Sequence, residues 1–561
     1  MSAPFDNAKS QIKQIIIAAA EKAVGENKFA ALPTANFSID IPSDRNHGDF
    51  AVNAAMVWAS ELKKSPREIA EILHDHMRHD GYINHFETAG PGFINLFLSD
   101  RFYSDIVLNV LNEGENYGRS DFGKGKRVLV EFVSANPTGP MHIGNARGGA
   151  LGDCIAAAYE WAGFDTQREF YVNDAGNQIN KFKISLEARY LQLFDSSVTI
   201  PEDAYLGDDI TEHAKNFAEI HADSYVHVSS EERRNALCDF ALPKNIAKLK
   251  SDLEKYRITY DRWFLESSLH KSGAVDDIIE RLKKSGHTFE LEGALWLRST
   301  DFGDEKDRVL VRANGVPTYL VPDIAYHYNK LVTRGYDLAI DVLGADHHGY
   351  IARMMAALTA LNVDSGKLKM VIMQMVRLVK NGETYKLSKR SGKAVTLETL
   401  LDEVPIDAAR YVFNSKEPNT HLEFDLDLAV EQSSQNPVYY VQYAHARICS
   451  ILRNLKEDGI TPRSCSAEEL DCLNAPEERE LIRHLSALPE TIINAAVNFN
   501  PAGVTKYSYE LATLFHKFYN SCRVKGEPES LMQARLSLCL ATKTTIANVL
   551  KMLKISAPES M

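Results

Sequence analysis

One segment of this 561-residue chain limits its possible folds more than any other. An apolar run at residues 128–130 predicts a buried strand, and apolar residues at helical spacing over 151–161 predict a helix. Between them, Pro137, Gly139 and Pro140 interrupt regular structure, which predicts a strand, a loop and a helix. Such a loop directs backbone N–H groups and a helix N-terminus towards one point, which suits an anionic phosphate.

Two side chains at the end of this loop add hydrogen-bond donors. His142 and Asn145 are three residues apart and face the same ligand if that turn is helical. The string from Glu131 to Arg147 resembles the HIGH signature of class I aminoacyl-tRNA synthetases, and its longer context resembles the arginyl-tRNA synthetases in particular. Asn145 replaces the signature's usual last histidine, and it can donate a hydrogen bond but cannot carry charge. We therefore expect phosphate binding without a cation at position 145.

A second, basic segment at residues 386–390 carries three cations in five residues and is flanked by glycines. Such a loop can close on a polyphosphate and neutralise charge as it develops. It resembles the KMSKS loop of class I synthetases, with Leu in place of Met and Arg in place of the last Ser. The resemblance implies catalytic roles for His142, Asn145, Lys386 and Lys389, with Lys389 as the main phosphate ligand. It implies ATP binding by Gly139, Pro140, Met141, His142, Gly144, Asn145, Gly344, Asp346, His347, Leu387, Ser388 and Lys389.

Selection of arginine makes a physical demand on the site. The planar guanidinium has to be held by carboxylates, ideally in bidentate geometry, because burying it without one is costly. Glu131 and Asp323 are acids at predicted strand–loop edges, within strings that resemble this family. The resemblance implies that Glu131 and Asn136 hold the amino and carboxylate end, while Tyr319 and Asp323 face the guanidinium. The expected arginine contacts are Glu131, Ser134, Asn136, Tyr319, Asp323 and His347.

The string Asp-His-His at residues 346–348 suggests a metal cluster as an alternative. Adjacent residues on a strand point to opposite faces, so a shared metal would require a bend. No other ligand set at suitable spacing accompanies the string, and we expect no protein-bound metal. The resemblance instead places Asp346 and His347 at the adenosine and amino-acid pockets. Asn173 and Asp174 stand before Gly176 in another family-like string, where a structural turn is the competing interpretation.

The chain divides into three predicted domains. Residues 1–118 form an α+β module, which resembles the tRNA-contacting N-terminal domain of the family. Residues 119–404 alternate strand and helix signals, which predicts a Rossmann-like α/β catalytic domain on a parallel sheet, with a helical insertion at about 185–290. Residues 405–561 show helical stripes only, which predicts an all-α bundle. The candidate strands of the sheet are residues 127–132, 166–172, 308–312, 338–343 and 370–377.

Residues 436–447 resemble the start of the family's C-terminal, anticodon-binding region. Their aromatic and basic side chains can stack on unpaired bases or hydrogen-bond to them. Tyr439 and Tyr443 lie four residues apart on one helix face, so packing remains an open alternative. The last six residues also match the family's ending. The expected tRNA contacts are Tyr439, Tyr443, Arg447 and Met561.

The composition limits location and partners. A net charge of −13 argues against non-specific binding to nucleic acid, although a local basic face is sufficient for a folded RNA. The seven cysteines form no CxxC pair and no zinc pattern, which indicates reduced thiols in the cytosol. Residues 2–27 predict an amphipathic helix rather than a signal peptide, and no apolar run approaches membrane-spanning length. We expect a cytoplasmic monomer with no membrane partner.

Together these observations predict an arginine–tRNA ligase. It would activate L-arginine with ATP and Mg²⁺ to arginyl-adenylate and transfer the arginyl group to the 3′-terminal adenosine of tRNA(Arg), releasing AMP and pyrophosphate. One alternative is a class I synthetase for another amino acid, against which Glu131 and Asp323 argue. The other is a non-catalytic tRNA-binding paralogue, against which His142 and Lys389 argue.

Overall fold

The N-terminal region forms an antiparallel four-stranded sheet, in the order β1-β2-β4-β3, packed against helices. A computed structural model describes residues 4–42, 44–79, 81–385 and 395–561 of the chain. The first helix packs through a stripe of buried apolar side chains that includes Ile12, Ile16 and Ala23. The elements are α1 (Pro4–Gly25), β1 (Ile39–Asp40), β2 (Phe50–Val52), α2 (Ala54–Leu62), α3 (Pro66–His76), β3 (Ile83–Ala89), β4 (Phe93–Leu98) and α4 (Asp100–Glu113).

The central region is built on a five-stranded parallel sheet in the order β12-β11-β5-β6-β7. This confirms the predicted Rossmann-like α/β class. Its elements are β5 (Arg127–Glu131), α5 (Ile143–Trp161), β6 (Asp165–Val172), α6 (Gly176–Gln192), α7 (Asp208–His221), α8 (Ser230–Lys255), β7 (Arg262–Leu265), α9 (Glu266–Lys271), α10 (Ala274–Lys284), β8 (Thr288–Leu291), β9 (Ala294–Leu297), β10 (Arg308–Val311), α11 (Leu320–Tyr328), β11 (Leu338–Gly344), α12 (His348–Ala360), β12 (Leu368–Met373), β13 (Val376–Lys380), β14 (Glu383–Thr384), α13 (Leu397–Glu403) and α14 (Ile406–Phe413).

Two of the predicted strands belong elsewhere. The strand predicted at 308–312 is β10, which lies in a separate antiparallel sheet with β8 and β9. The strand predicted at 370–377 is divided into β12 and β13. The break falls at Gln374, whose N–H donates to the Pro418 carbonyl at 2.9 Å and whose carbonyl accepts from Arg147 at 2.6 Å. These contacts divert the backbone from one sheet to the next.

The insertion predicted as helical over about 185–290 is helical only in part. Helices α6, α7 and α8 form a small bundle around a hydrophobic cluster of their own that includes Phe182, Tyr190 and Phe217. The remainder returns to the main sheet as β7, which pairs in parallel with β6. The prediction missed this strand because four residues are too few to show a period of their own.

Helix α5 passes closely behind the sheet because its contact face carries small residues. A Cβ atom added at Gly152 would lie 2.2 Å from the Phe132 ring, and one at Gly149 would lie 2.7 Å from Ile258. Any larger side chain would push the helix away from the loop that follows β5. The glycines therefore fix the distance between the helix and that loop.

The C-terminal region is mainly a bundle of helices, but it begins with a strand. The elements are β15 (Leu422–Asp425), α15 (Leu426–Val430), α16 (Pro437–Glu457), α17 (Ala467–Leu470), α18 (Pro476–Ser486), α19 (Leu488–Val497), α20 (Ala502–Ser521) and α21 (Glu529–Met552). The prediction of helices alone after residue 405 is wrong at β15, which pairs in parallel with β13. Helices α18 and α19 are separate, because Pro489 in the first turn of α19 lacks the N–H that a continuous helix requires.

The parallel sheet sets the position of the site. Its chain order changes direction between β5 and β11, since β6 and β7 follow β5 on one side and β12 follows β11 on the other. Ligands of open α/β sheets bind at the carboxyl ends of the strands at such a point. The loops after β5, β11 and β12 are therefore where a site is expected.

Candidate functional site

A cavity of about 910 Å³ opens at this point of the sheet. Its walls come from the loop after β5, the start of α5, the ends of β11 and β12, and a segment of the insertion before α7. Ten residues predicted from the sequence line it: Ser134, Asn136, Gly139, Pro140, His142, Gly144, Asn145, Gly344, Asp346 and His347. Met141 is buried behind the wall instead, where its carbonyl accepts a hydrogen bond from the Leu397 N–H at 2.9 Å.

His142 and Asn145 form a reciprocal cap at the start of α5. The His142 Nδ1 atom accepts from the Gly144 N–H at 3.1 Å, and the Asn145 Oδ1 atom accepts from the His142 N–H at 3.0 Å. Burial lowers the pKa of His142, so the ring is neutral at pH 7. Because Nδ1 is an acceptor, the ring proton resides on Nε2. Both residues keep a donor for a ligand, the imidazole Nε2–H and the Asn145 amide N–H₂.

The predicted catalytic and ATP-binding residues of the basic loop, Lys386, Leu387, Ser388 and Lys389, lie outside the described residues. Residues 395 and 396, which follow the gap in the described residues, lie beside His142. The Ile143 N–H donates to the Val395 carbonyl at 3.2 Å, and His142 pairs with Thr396 in an isolated antiparallel bridge. Residues 395 and 396 therefore lie against the start of α5.

Backbone strain marks the loop after β5. Val133 and Ser134 have φ angles of 69° and 41°, which are unfavourable for side chains and most unusual for a β-branched residue. The turn directs the Ser134 hydroxyl back, where it donates to Glu131 at 2.9 Å and accepts from the Tyr171 N–H at 3.1 Å. Such strain is typical of functional sites, where surrounding contacts hold it in place.

Glu131 is charge-compensated inside the protein. Its carboxylate pairs with the ammonium of Lys330, which is completely buried in a π-helical turn, Asn329–Thr333. Lys330 also lies 2.7 Å from Asp341, which in turn is 2.7 Å from the His327 ring. Burial opposes the ionisation of Asp341, but Lys330 and His327 outweigh it and hold the pKa well below its ordinary value. One buried cation thus serves two carboxylates.

Asp323 differs from Glu131, because no lysine or arginine among the described residues forms an ion pair with it. The residue lies in the first turn of α11, and the prediction that it stands at a strand edge is wrong. The proline of α11 is in the first turn, where a helix tolerates it, so this apolar run forms a helix rather than a strand. Burial raises the pKa of Asp323 to about 7, with repulsion from Glu266 and Glu131 adding to the shift.

Glu266 is a site candidate that the sequence interpretation missed. It directly follows β7, at the carboxyl end of the strand that was also missed. Burial raises its pKa, as it does for Asp323. Glu266, Asp323 and Glu131 all lie near the buried hydroxyl of Tyr171 and raise its pKa further. The three acids therefore lie around the Tyr171 hydroxyl. Recognition of β7 in the sequence would have pointed to the third acid, Glu266.

The remaining predicted residues take different positions. Tyr319 precedes α11 and is 57% exposed, and the cavity lining does not include Glu131, Tyr319 or Asp323. Asp174 accepts from the Ser267 N–H and hydroxyl at 2.8 and 2.6 Å, which supports the structural-turn interpretation of this string. Within the described ranges, no group of three potential ligands that could hold a metal ion occurs. No helix of that part is long and apolar enough to cross a membrane.

A smaller cavity of about 380 Å³ lies on the C-terminal bundle. Tyr439 and Tyr443 line it with their rings nearly parallel, 7° apart, and Tyr443 is 42% exposed. Arg447 donates to the Nδ1 atom of His516 at 3.0 Å, and burial together with this cation lowers the pKa of His516 to about 4. The structure thus brings three of the four predicted tRNA contacts together, whereas Met561 does not line this cavity and is 51% exposed at the chain end.

Three family descriptions match successive parts of the chain. The arginyl tRNA synthetase N terminal domain matches residues 10–98, the catalytic domain of class I (R) tRNA synthetases matches residues 106–451, and the DALR anticodon binding domain matches residues 441–561.

Full-length relatives agree with these matches. An arginine–tRNA ligase of Ruminiclostridium cellulolyticum is 51% identical, with 99% of each chain covered, and one of Caldanaerobacter subterraneus is 52% identical over the same shares. Among solved structures, the Thermus thermophilus arginyl-tRNA synthetase has a TM-score of 0.75 at 22% identity, covering 98% of this chain and all of the other. That structural likeness concerns the fold.

Proposed function

The chain belongs to the arginyl-tRNA synthetase family and is a class I arginine–tRNA ligase, and from that premise we propose how its residues divide the work. The primary interpretation of the sequence is thereby confirmed over a ligase for another amino acid or a non-catalytic paralogue. The observation that carries the proposal is a cavity of about 910 Å³ with a neutral histidine donor on one wall and uncompensated acids beside it.

ATP occupies the cavity as its magnesium complex. His142 and Asn145 donate to its phosphates from the start of α5, where the helix N-terminus adds positive potential. Lys386 and Lys389 close on the phosphates from the basic loop, and residues 395 and 396, further along the chain, contact the same helix start. The other expected nucleotide contacts are Gly139, Pro140, Met141, Gly144, Gly344, Asp346, His347, Leu387 and Ser388, and the burial of Met141 limits it to a supporting backbone role.

Arginine lies between the cavity and the acid cluster, with its guanidinium at Asp323 and Glu266. Burial raises the pKa values of these two carboxylates, and among the described residues neither forms an ion pair with a lysine or arginine, so a bound guanidinium supplies a strong positive charge. Glu131 is neutralised by Lys330 and therefore contributes hydrogen-bond acceptors rather than net charge. Ser134, Asn136, Tyr319 and His347 provide the remaining polar contacts.

The reaction proceeds in two transfers that require positioning rather than a covalent protein nucleophile. The arginine carboxylate attacks the α-phosphate of ATP in line, and pyrophosphate leaves. A ribose hydroxyl of the terminal tRNA adenosine then attacks the arginyl-adenylate and releases AMP. The protein's part is to align the reacting groups and to stabilise charge on the phosphates, as in phosphoryl transfer generally.

Residues 1–118 contact the tRNA body, residues 119–404 carry out both transfers, and residues 405–561 read the anticodon. In the last region Tyr439, Tyr443 and Arg447 offer stacking faces and a cation to unpaired bases, and Met561 adds a chain-end contact. We further propose that the enzyme acts as a monomer in the cytoplasm.

The test is aminoacylation of total tRNA with each amino acid in turn, together with ATP–pyrophosphate exchange in the presence of tRNA. Charging with arginine alone, lost in a His142→Ala variant of unchanged thermal stability, is the expected result. Charging that survives this change at a wild-type rate would remove His142 from the reaction.

A further inference from the structure

The helical insertion contributes to the cavity although it has a hydrophobic core of its own. Its segment 205–209 contributes to the cavity lining together with the ends of β11 and β12, and Leu206 in this segment is 65% exposed. A bundle with a separate core needs specific contacts to hold a fixed position relative to the sheet. The contacts made by α8 define that position.

The first contact is a hydrogen bond from α8 to the loop after β5. The Asn245 amide N–H₂ donates to the Pro137 carbonyl at 2.9 Å. The Asn245 Oδ1 atom accepts from the His213 Nε2–H of α7 at 2.7 Å, which fixes the orientation of the amide. Pro137 follows Ser134 and Asn136, which are proposed arginine contacts, and precedes Gly139, a proposed ATP contact. The bond therefore holds the loop between these two groups of residues.

The second contact lies one turn further along α8. The Lys248 ammonium is 3.0 Å from Glu398 in the first turn of α13, which begins directly after the pairing of Thr396 with His142. Asp252, at 2.8 Å, holds the same ammonium from within α8. Residues 245 and 248 are three apart and share a face of the helix. Helix α8 therefore contacts both the loop after β5 and the start of α13.

We propose that α8 positions the loop after β5 relative to the start of α13, with Asn245 and Lys248 as the positioning residues. The proposal rests on the proposed function of the cavity and assigns the insertion a role in ATP-dependent activation. Asn245 acts through the Pro137 carbonyl and Lys248 through Glu398, and neither residue lines the cavity. The pair at Lys248 is partly exposed and is the weaker of the two.

The experiment compares Asn245→Ala and Lys248→Ala with Asn235→Ala, a matched control on α8. The Asn235 side chain accepts from Lys183 at 2.8 Å within the insertion and makes no contact with the cavity. Pre-steady-state adenylate formation with tRNA present gives the rate per active site, burst amplitude gives the active fraction, and thermal unfolding gives stability. The tRNA dissociation constant is measured as well, because tRNA binding depends on other surfaces of the protein.

Asn245→Ala is expected to lower the rate per active site about tenfold, the effect of losing one hydrogen bond. Lys248→Ala is expected to lower it about twofold to threefold, while tRNA affinity and the Asn235→Ala enzyme remain at wild-type values. A lower active fraction with a normal rate per site, or an equal loss in Asn235→Ala, would overturn the proposal in favour of a purely structural role. Lys248 is exposed, so its variant folds and remains informative even if Asn245→Ala does not.

The role of α8 and the function of the cavity can be refuted independently of each other. If His142→Ala abolishes adenylate formation while Asn245→Ala and Lys248→Ala behave as wild type, the cavity is the active site and only the role of α8 is wrong. If His142→Ala has no effect, the assignment of the cavity itself is wrong.

Discussion

An Asp323→Asn variant should lose arginine recognition and gain stability at neutral and higher pH. The aspartate is largely buried near Glu131 and Glu266, and burial raises its pKa from an ordinary value of 3.8 to about 7. In the free enzyme its charge is costly, and in the arginine complex that same charge is required. Asparagine keeps the shape of the side chain and removes the charge, so the two effects should separate.

The stability change follows from proton binding. Between pH 3.8 and about 7 the folded state holds a proton on Asp323 that the unfolded state releases, so the free energy of unfolding decreases as pH rises through this window. A shift of this size corresponds to on the order of 4 kcal/mol above pH 7. The asparagine variant lacks this decrease. It should therefore unfold at a higher temperature than the wild type at pH 8 and at a similar temperature near pH 4.

The functional change has the opposite sign. Loss of a desolvated carboxylate–guanidinium pair should reduce kcat/KM for arginine by a factor equivalent to roughly 2–5 kcal/mol, with a much smaller effect on the neutral isostere citrulline. In the wild type, KM for arginine should fall as pH rises from about 6 to 8, because the ionised Asp323 binds the guanidinium. The variant should show no such dependence.

Steady-state charging with arginine and citrulline between pH 6 and 8.5, together with thermal unfolding over pH 4–8, measures both effects. Asp301→Asn, at an exposed aspartate away from the cluster, is the matched control. A variant that is less stable than wild type at pH 8 and still prefers arginine would refute the reasoning. If kcat/KM for ATP falls and that for arginine does not, Asp323 belongs to the nucleotide site.

Three further predictions follow from the same structure. His142→Ala, and likewise Lys389→Ala, should slow adenylate formation by about a hundredfold or more, because each removes a phosphate donor; single-turnover rates within a few-fold of wild type would contradict this. Lys330→Met should destabilise the protein by about 3–5 kcal/mol in urea unfolding, since it leaves Glu131 and Asp341 buried without their cation, and a second change, Asp341→Asn, should restore part of the loss. Arg447→Ala should weaken tRNA binding without slowing adenylate formation, and equal charging of a tRNA with exchanged anticodon bases would show that identity is read elsewhere.

The sequence predicted the elements whose signals are local. The strand, loop and helix at residues 127–161 follow from an apolar run, two prolines and a helical stripe, and the structure places them as expected. The strand β7 was missed because four residues carry no period, and Asp323 was assigned to a strand edge because a short apolar run fits a strand as well as a helix. Residue types were thus predicted better than the elements that carry them.

Partners distant in sequence could not be predicted. Nothing near Glu131 indicates that Lys330, 199 residues later, neutralises it. The π-helical turn that carries Lys330 is a tertiary feature without a local motif. For the same reason the contacts of Asn245 and Lys248 with the loop after β5 and the start of α13 became apparent only when the insertion was placed beside the sheet.

Charge compensation explains how the site distinguishes arginine from neutral analogues of the same shape. Glu131 and Asp341 share the one cation of Lys330, and Glu169 pairs with Arg334, so each of these acids has a cation beside it before any substrate arrives. Burial raises the pKa values of Asp323 and Glu266, and no lysine or arginine in the described part of the chain forms an ion pair with either acid. A bound guanidinium completes both pairs, whereas citrulline would leave two buried acids without a counter-charge. A site with buried polar groups that stay unpaired rejects the wrong ligand far more strongly than a difference in shape does, and the stability lost by leaving Asp323 uncompensated is the physical basis of that selectivity.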